Sequence, residues 1–136
     1  MYETFEHTAD LGLRVRAPDL DDLFGEAAQA LFSAIVDDLA TVRPTQKIDV
    51  NLDRDDLSYL LFDWLNELLY RFDTEHLLFG KFETRIENQS LHASAWGEAF
   101  DPSRHSLTHE VKAITYHGLK VEKEKDGWLA EVIVDI

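Results

Sequence analysis

Cysteine is absent from the 136 residues. Disulfide frameworks, thiolate metal sites and cysteine nucleophiles are therefore excluded together. Glycine and proline are sparse, with 6 and 3 copies, and scattered singly, so neither a flexible linker nor a glycine-rich phosphate loop is expected. No stretch approaches the ~18 apolar residues of a membrane-spanning helix. Met1 to Glu6 has neither the basic start nor the apolar run of a secretory leader, which makes a cytoplasmic protein without membrane attachment the expectation. Basic residues are few, 13 against 27 acidic ones, for a formal net charge of -14. A surface of that sign repels phosphate backbones. Direct nucleic-acid binding is not expected; a basic partner protein, or cations, suit the charge better.

What is present is a core. The chain is 45% hydrophobic and carries 8 phenylalanines, 4 tyrosines and 3 tryptophans. At this length a single domain over residues 1–136 buries roughly two thirds of its unfolded surface. Leu11, Leu13, Val15 and Ala17 alternate with polar or small residues, the period of a half-buried strand. Pro18-Asp19 then announces a helix with Asp19 as N-cap, followed by Leu20, Leu23, Phe24, Ala27, Leu31, Ala34 and Ile35 at helical spacing. Ile48, Val50 and Leu52 form a second strand, and Asp53 or Asp55 is placed to cap the next helix. That helix carries the strongest stripe in the chain: Leu57, Leu60, Leu61, Trp64, Leu65, Leu68 and Phe72.

Beyond residue 76 the pattern is strand throughout. Phe82, Thr84 and Ile86 face Leu91, Ala93 and Ala95 across an Asn88-Gln89 turn, Val111 to Glu122 alternates, and Asp126-Gly127 signals a hairpin before a last strand from Trp128. The predicted fold class is α+β: one layer of two amphipathic helices on a mostly antiparallel β-sheet.

Two carboxylates near the chain ends invite a chemical reading. Asp10 closes the segment His7-Thr8-Ala9-Asp10, and Asp135 precedes the last residue, Ile136. As ordinary structure, Asp10 is a turn or cap residue and Asp135 a solvated one at a fraying end. Against this, Trp128 to Ile136 is β-forming to its last residue, so the Asp135 carboxylate and the Ile136 main-chain carboxylate are held together on an ordered strand. Neighbouring anions repel unless a cation joins them. A third carboxylate would complete an all-oxygen site for a hard cation, and Asp10 is the candidate.

Other candidates are weaker. His105 and His109 have an i, i+4 spacing, but the residues between them read as loop. His7 reads as orienting the Asp10 segment rather than ligating. Ser103 and Ser106 lie in no Gly-x-Ser-x-Gly elbow, and Asp53, Asp55 and Asp56 lack the glycine and distal glutamate of a calcium loop. Lys112, between Val111 and Ala113, reads either as the solvent side of a strand or as a charge set beside the carboxylates.

Four short segments occur in one order along the whole chain: His7-Thr8-Ala9-Asp10, Trp96-Gly97-Glu98, Glu110-Val111-Lys112-Ala113-Ile114-Thr115-Tyr116, and the final Val134-Asp135-Ile136. With the long helix from Leu57 to Phe72, they make the chain resemble the archease family. The resemblance implies a non-enzymatic accessory protein of RtcB-type RNA ligases, which promotes ligase guanylylation and multiple turnover in tRNA splicing and RNA repair. It further implies a metal site of Asp10, Asp135 and Ile136, with calcium as the ion and magnesium or manganese as alternatives, and a functional lysine at Lys112. Two rivals belong to other classes. One is a metal-dependent hydrolase using the same carboxylates to activate a water. The other is a structural or chaperone-like module in which the carboxylates are incidental.

Overall fold

The computed structural model describes residues 1–7 and 10–136, His7 by its backbone alone. The elements run β1 (Tyr2–His7), β2 (Asp10–Ala17), α1 (Leu20–Ile35), a short 3-10 turn (Leu39–Thr41), β3 (Gln46–Asp53), α2 (Leu57–Glu75), β4 (Leu77–Glu87), β5 (Ser90–Ala99), β6 (Ala113–Ile114), β7 (Lys120–Glu124) and β8 (Gly127–Asp135). The architecture is α+β, with the strands divided between two sheets. One has the order β1-β2-β8-β6, with β7 also pairing with β8; the other has the order β3-β5-β4. The described pairings are antiparallel.

Two sheets change what α1 must bury. A helix on one face of one sheet needs a single apolar stripe. In α1 burial extends beyond that stripe to Ala28, Ala30 and Phe32, because the helix packs against β4 of one sheet and β2 of the other. Its alanines permit that close approach. α2 buries Leu60, Leu61, Trp64, Leu65, Leu68 and Leu69, nearly the expected stripe. The Trp64 indole N–H, fully buried, donates to the Phe24 carbonyl at 3.0 Å, which ties α2 to α1 and satisfies a donor that would otherwise be costly to desolvate. Each large side chain buried here, such as Trp64, Phe24, Phe32 and Phe79, contributes on the order of 1.5–3 kcal/mol.

Local signals account for most boundaries. Asp19 caps α1, accepting from the Asp22 N–H at 2.8 Å. The cap of α2 is Asp56, which accepts from the Ser58 and Tyr59 N–H groups, not Asp53 or Asp55. Asp53 is instead the last residue of β3 and accepts from the Ser90 hydroxyl. In a run holding three aspartates, only the path of the chain decides which one stands where the helix begins.

The β4–β5 hairpin has the expected register, pairing Phe82 with Ala95, Thr84 with Ala93 and Ile86 with Leu91, with Asn88 at φ 57° in the turn. The continuous strand expected from Val111 to Glu122 is broken. Only Ala113–Ile114 and Lys120–Glu124 pair with β8. Between them the chain turns through Gly118 at φ 61°, a left-handed conformation that glycine adopts without strain. Among the described residues no helix is long and apolar enough to cross a membrane.

Candidate functional site

The ladder between β2 and β8 decides where the two aspartates meet. Its register matches Leu11 to Val134 and Leu13 to Val132, all of them buried. Because side chains alternate along a strand, a one-residue slip would turn this apolar set to solvent. The core thus locks the register, and the same register sets Asp10 directly opposite Asp135. Opposed residues of an antiparallel pair project from the same face with Cβ atoms about 4.5–5.5 Å apart. Both aspartates are half-buried, as is Ile136, which follows Asp135 and packs on the edge of the core.

The other side of β8 carries the segment singled out for its lysine. Ala113 pairs with Asp135 and Ile114 with Val134. The Lys112 N–H donates to the Asp135 carbonyl at 2.7 Å, and the Thr115 N–H and hydroxyl both donate to the Ile133 carbonyl, at 3.0 and 2.8 Å. Lys112 therefore adjoins Asp135 through its backbone, with its side chain exposed. The structure brings Asp10, Asp135, Ile136 and Lys112 to one end of the sheet, although Lys112 and Asp10 are about a hundred residues apart in sequence. Thr8 and Ala9 lie outside the described residues, and so does any role for the His7 side chain.

Farther along the same face stand cationic groups already engaged. Gly12 pairs with Ile133, and the Phe5 ring lies directly over Gly12, where an added Cβ would fall 2.2 Å from a ring carbon. One rung beyond, the Arg14 guanidinium lies over the Phe5 ring, 4.5 Å from its centroid, and bonds Glu131 at 2.5 Å and Glu3 at 3.1 Å. Lys120 also pairs with Glu131, at 3.3 Å. Arg14 is four residues from Asp10, or about 13 Å along the strand.

Among the described residues no three His, Asp or Glu side chains gather to hold a metal. The expected set has two such side chains, Asp10 and Asp135, with the main chain of Ile136 as the expected remaining donor. Carboxylate oxygens of this kind suit calcium, magnesium or manganese better than zinc or copper. The hydrolase reading finds no histidine-rich or two-metal constellation among these residues.

Sequence reasoning missed a second polar centre. Glu98, at the end of β5, is 8% exposed. It accepts from the Arg104 guanidinium, from the Arg43 N–H at 2.8 Å and from His105 Nε2 at 3.0 Å. The Asp101 N–H donates to His105 Nδ1 at 2.9 Å, so both ring nitrogens of this buried histidine are occupied and no zinc chelate with His109 forms. The Arg104 hydrogen bond is the main reason the Glu98 carboxyl is held down to about 2; the Arg43 and His105 bonds add to it, against the opposing effect of burial. The available signal was a glutamate inside an apolar strand, followed by an Arg-His pair a few residues on.

Comparison with known proteins finds relatives along nearly the whole chain. The archease protein family (MTH1598/TM1083) matches residues 2–136. A protein archease of Pyrococcus furiosus is 42% identical over 140 residues, covering 99% of this chain and 98% of its own length. One from Methanopyrus kandleri is 42% identical over 139 residues, with 99% of each chain covered. Among solved structures, the solution structure of Methanobacterium thermoautotrophicum protein 1598 superposes with a TM-score of 0.86 at 36% identity, covering 99% of this chain and 98% of that one.

Proposed function

The chain belongs to the archease family, and from that premise we propose that it is a non-catalytic accessory protein that activates an RtcB-type RNA ligase. In this reading it promotes ligase guanylylation and multiple turnover in tRNA splicing and RNA repair. It works in the cytoplasm and holds a divalent cation, calcium first, through Asp10, Asp135 and the carboxylate of Ile136. The observation that carries the reading is the direct opposition of Asp10 and Asp135 on one face of the sheet. Like charges placed opposite each other weaken a ladder, and a bound cation turns that repulsion into attraction.

The cation would supply a compact positive charge with coordination positions open to water or to a partner's oxygen atoms. The chain's own residues do the rest. The buried Leu11–Val134 rung holds the two carboxylates in register. The Lys112 N–H fixes the Asp135 main chain, and the exposed Lys112 ammonium stands ready to meet a phosphate of the ligase's bound nucleotide. The acidic surface suits a basic RNA-binding partner and speeds their encounter.

The test is a guanylylation and turnover assay on the purified ligase. With calcium, the chain alone should leave phosphoesters and nucleotides intact, yet stimulate the ligase. Asp10→Ala or Asp135→Ala should remove both calcium binding and stimulation, while Lys112→Ala should remove stimulation and keep calcium binding. Full stimulation by Asp135→Ala would return the carboxylates to an incidental role and sink the reading.

A further inference from the structure

Four residues beyond Lys112 the chain reaches an aromatic surface that the site does not use. Tyr116 closes the segment that begins at Lys112. Its ring stacks on Phe62 of α2, with centroids 4.1 Å apart and planes inclined by 15°, and meets Tyr59 edge-on at 5.7 Å. One face of Tyr116 is covered by Phe62, yet the residue is 56% exposed, so its other face looks to solvent. Tyr59 and Tyr70 are 44% and 58% exposed. They are 11 residues apart on α2, close to three helical turns, and share one side of the helix. Large exposed aromatics grouped this way are uncommon on a surface with nothing to bind.

The charge around these rings names the occupant. Residues 53–75 hold seven acidic residues and two basic ones, Arg54 and Arg71. Arg71 is engaged by Glu67 at 2.8 Å and Glu75 at 3.4 Å. Arg54 bonds Asp63 at 3.4 Å while its guanidinium lies 5.2 Å from the Tyr59 ring centroid. The chain's own arginine thus demonstrates the mode: a guanidinium over a tyrosine face with a carboxylate beside it, a pairing that gains from both cation–π and ionic attraction. An RNA strand would stack on such rings but would be repelled by the surrounding acids.

We propose that the exposed face of α2 bearing Tyr59, Phe62 and Tyr70, with Tyr116 stacked upon it, docks a basic, arginine-bearing surface of a partner protein. The proposal rests on the functional reading above for the partner's identity, the RNA ligase, but not for its chemistry. A partner seated there touches Tyr116, four residues along the chain from Lys112.

The experiment titrates the purified RtcB-type ligase, and separately an arginine-rich peptide, into the wild-type chain, the Tyr59→Ala/Tyr116→Ala double variant, Tyr116→Phe and Asp73→Lys. Aromatic anchors of an interface cost at least about tenfold in affinity when truncated, so the double variant should bind both probes at least about tenfold more weakly. Tyr116→Phe, which keeps the ring, should stay within about twofold. Asp73→Lys should weaken binding at low salt and less at high salt. An unchanged thermal midpoint and unchanged calcium affinity of the free double variant would separate lost docking from lost folding.

The two claims fail separately. A ligase that ignores the wild-type chain overturns the functional reading. Peptide and ligase held equally by the wild type and the double variant overturn the docking surface. Binding of single-stranded RNA to the wild type, lost in the double variant, assigns the face to RNA and overturns it as well.

Discussion

Two acidic centres sit at strand ends in this molecule, and they are built on opposite plans. At Glu98 the fold brings positive and N–H groups to one carboxylate: Arg104, His105 and the Arg43 amide all converge on it. At the end of the large sheet the ladder brings one carboxylate to another, Asp10 to Asp135. The first arrangement completes itself inside the protein. In the second, the ladder sets like charge against like charge, and an added cation relieves the repulsion. Glu98 thus serves the fold, while the opposed pair is where the function proposed above would hold its cation.

That contrast can be broken or sharpened by experiment. The largest effect is expected at the self-satisfied centre. Glu98→Ala leaves the buried His105 N–H without its acceptor and takes one of several from Arg104, which keeps Asp101 and the Thr41 carbonyl; removing one partner of a buried pair costs about 3 kcal/mol or more. Denaturant unfolding should register that loss, while the calcium affinity of the variant that remains folded stays as in the wild type. A stable Glu98→Ala protein would place the two centres in one class.

Next comes Asp10→Asn with Asp135→Asn. Calorimetry should find calcium binding weakened about a hundredfold, equivalent to ~2.7 kcal/mol at ~1.36 kcal/mol per decade. In chelator, the same double variant should be as stable as the wild type or slightly more so, because the opposed charges are gone. Marked destabilisation in chelator would mean that the pair supports the fold as Glu98 does.

A last test of the contrast is a pH dependence. The Glu98 carboxyl is held at about 2 in the folded chain, below its ordinary value of 4.5. A depressed folded value means that the ionised form favours folding. Its contribution is complete above about 4.5 and is lost as the pH falls through about 2. Wild type and Glu98→Gln should therefore differ in stability above pH 4.5 and converge toward pH 2. A gap independent of pH would show that shape, not charge, does the stabilising.

Much of this was legible in the residues. The Asp19 cap, both helical stripes, the β4–β5 register and the pairing of late strands follow from period, turn chemistry and capping, which act over a few neighbours. Failures arose where the deciding contact is distant. Asp56 rather than Asp53 caps α2 because Asp53 ends a strand beside Ser90. The alternation from Val111 to Glu122 yields two short strands because β8 offers its edge only to Ala113–Ile114 and to Lys120–Glu124, with Gly118 turning the chain between them. The Glu98 bond of the buried His105 went unread, because no spacing announces it.

By itself the sequence determined the α+β class, the two helices, the acidic surface, the exclusion of thiol chemistry and the short motifs that place the chain among archeases. Only the tertiary structure decided that the strands divide between two sheets, that α1 packs against both, and that Asp10 stands opposite Asp135 with Lys112 bonded alongside. The physical reason is range. Periodicity and capping are settled within a turn or two of chain, whereas the meeting of residues 10 and 135 depends on a ladder whose register is locked by buried leucines and valines from opposite ends of the polypeptide.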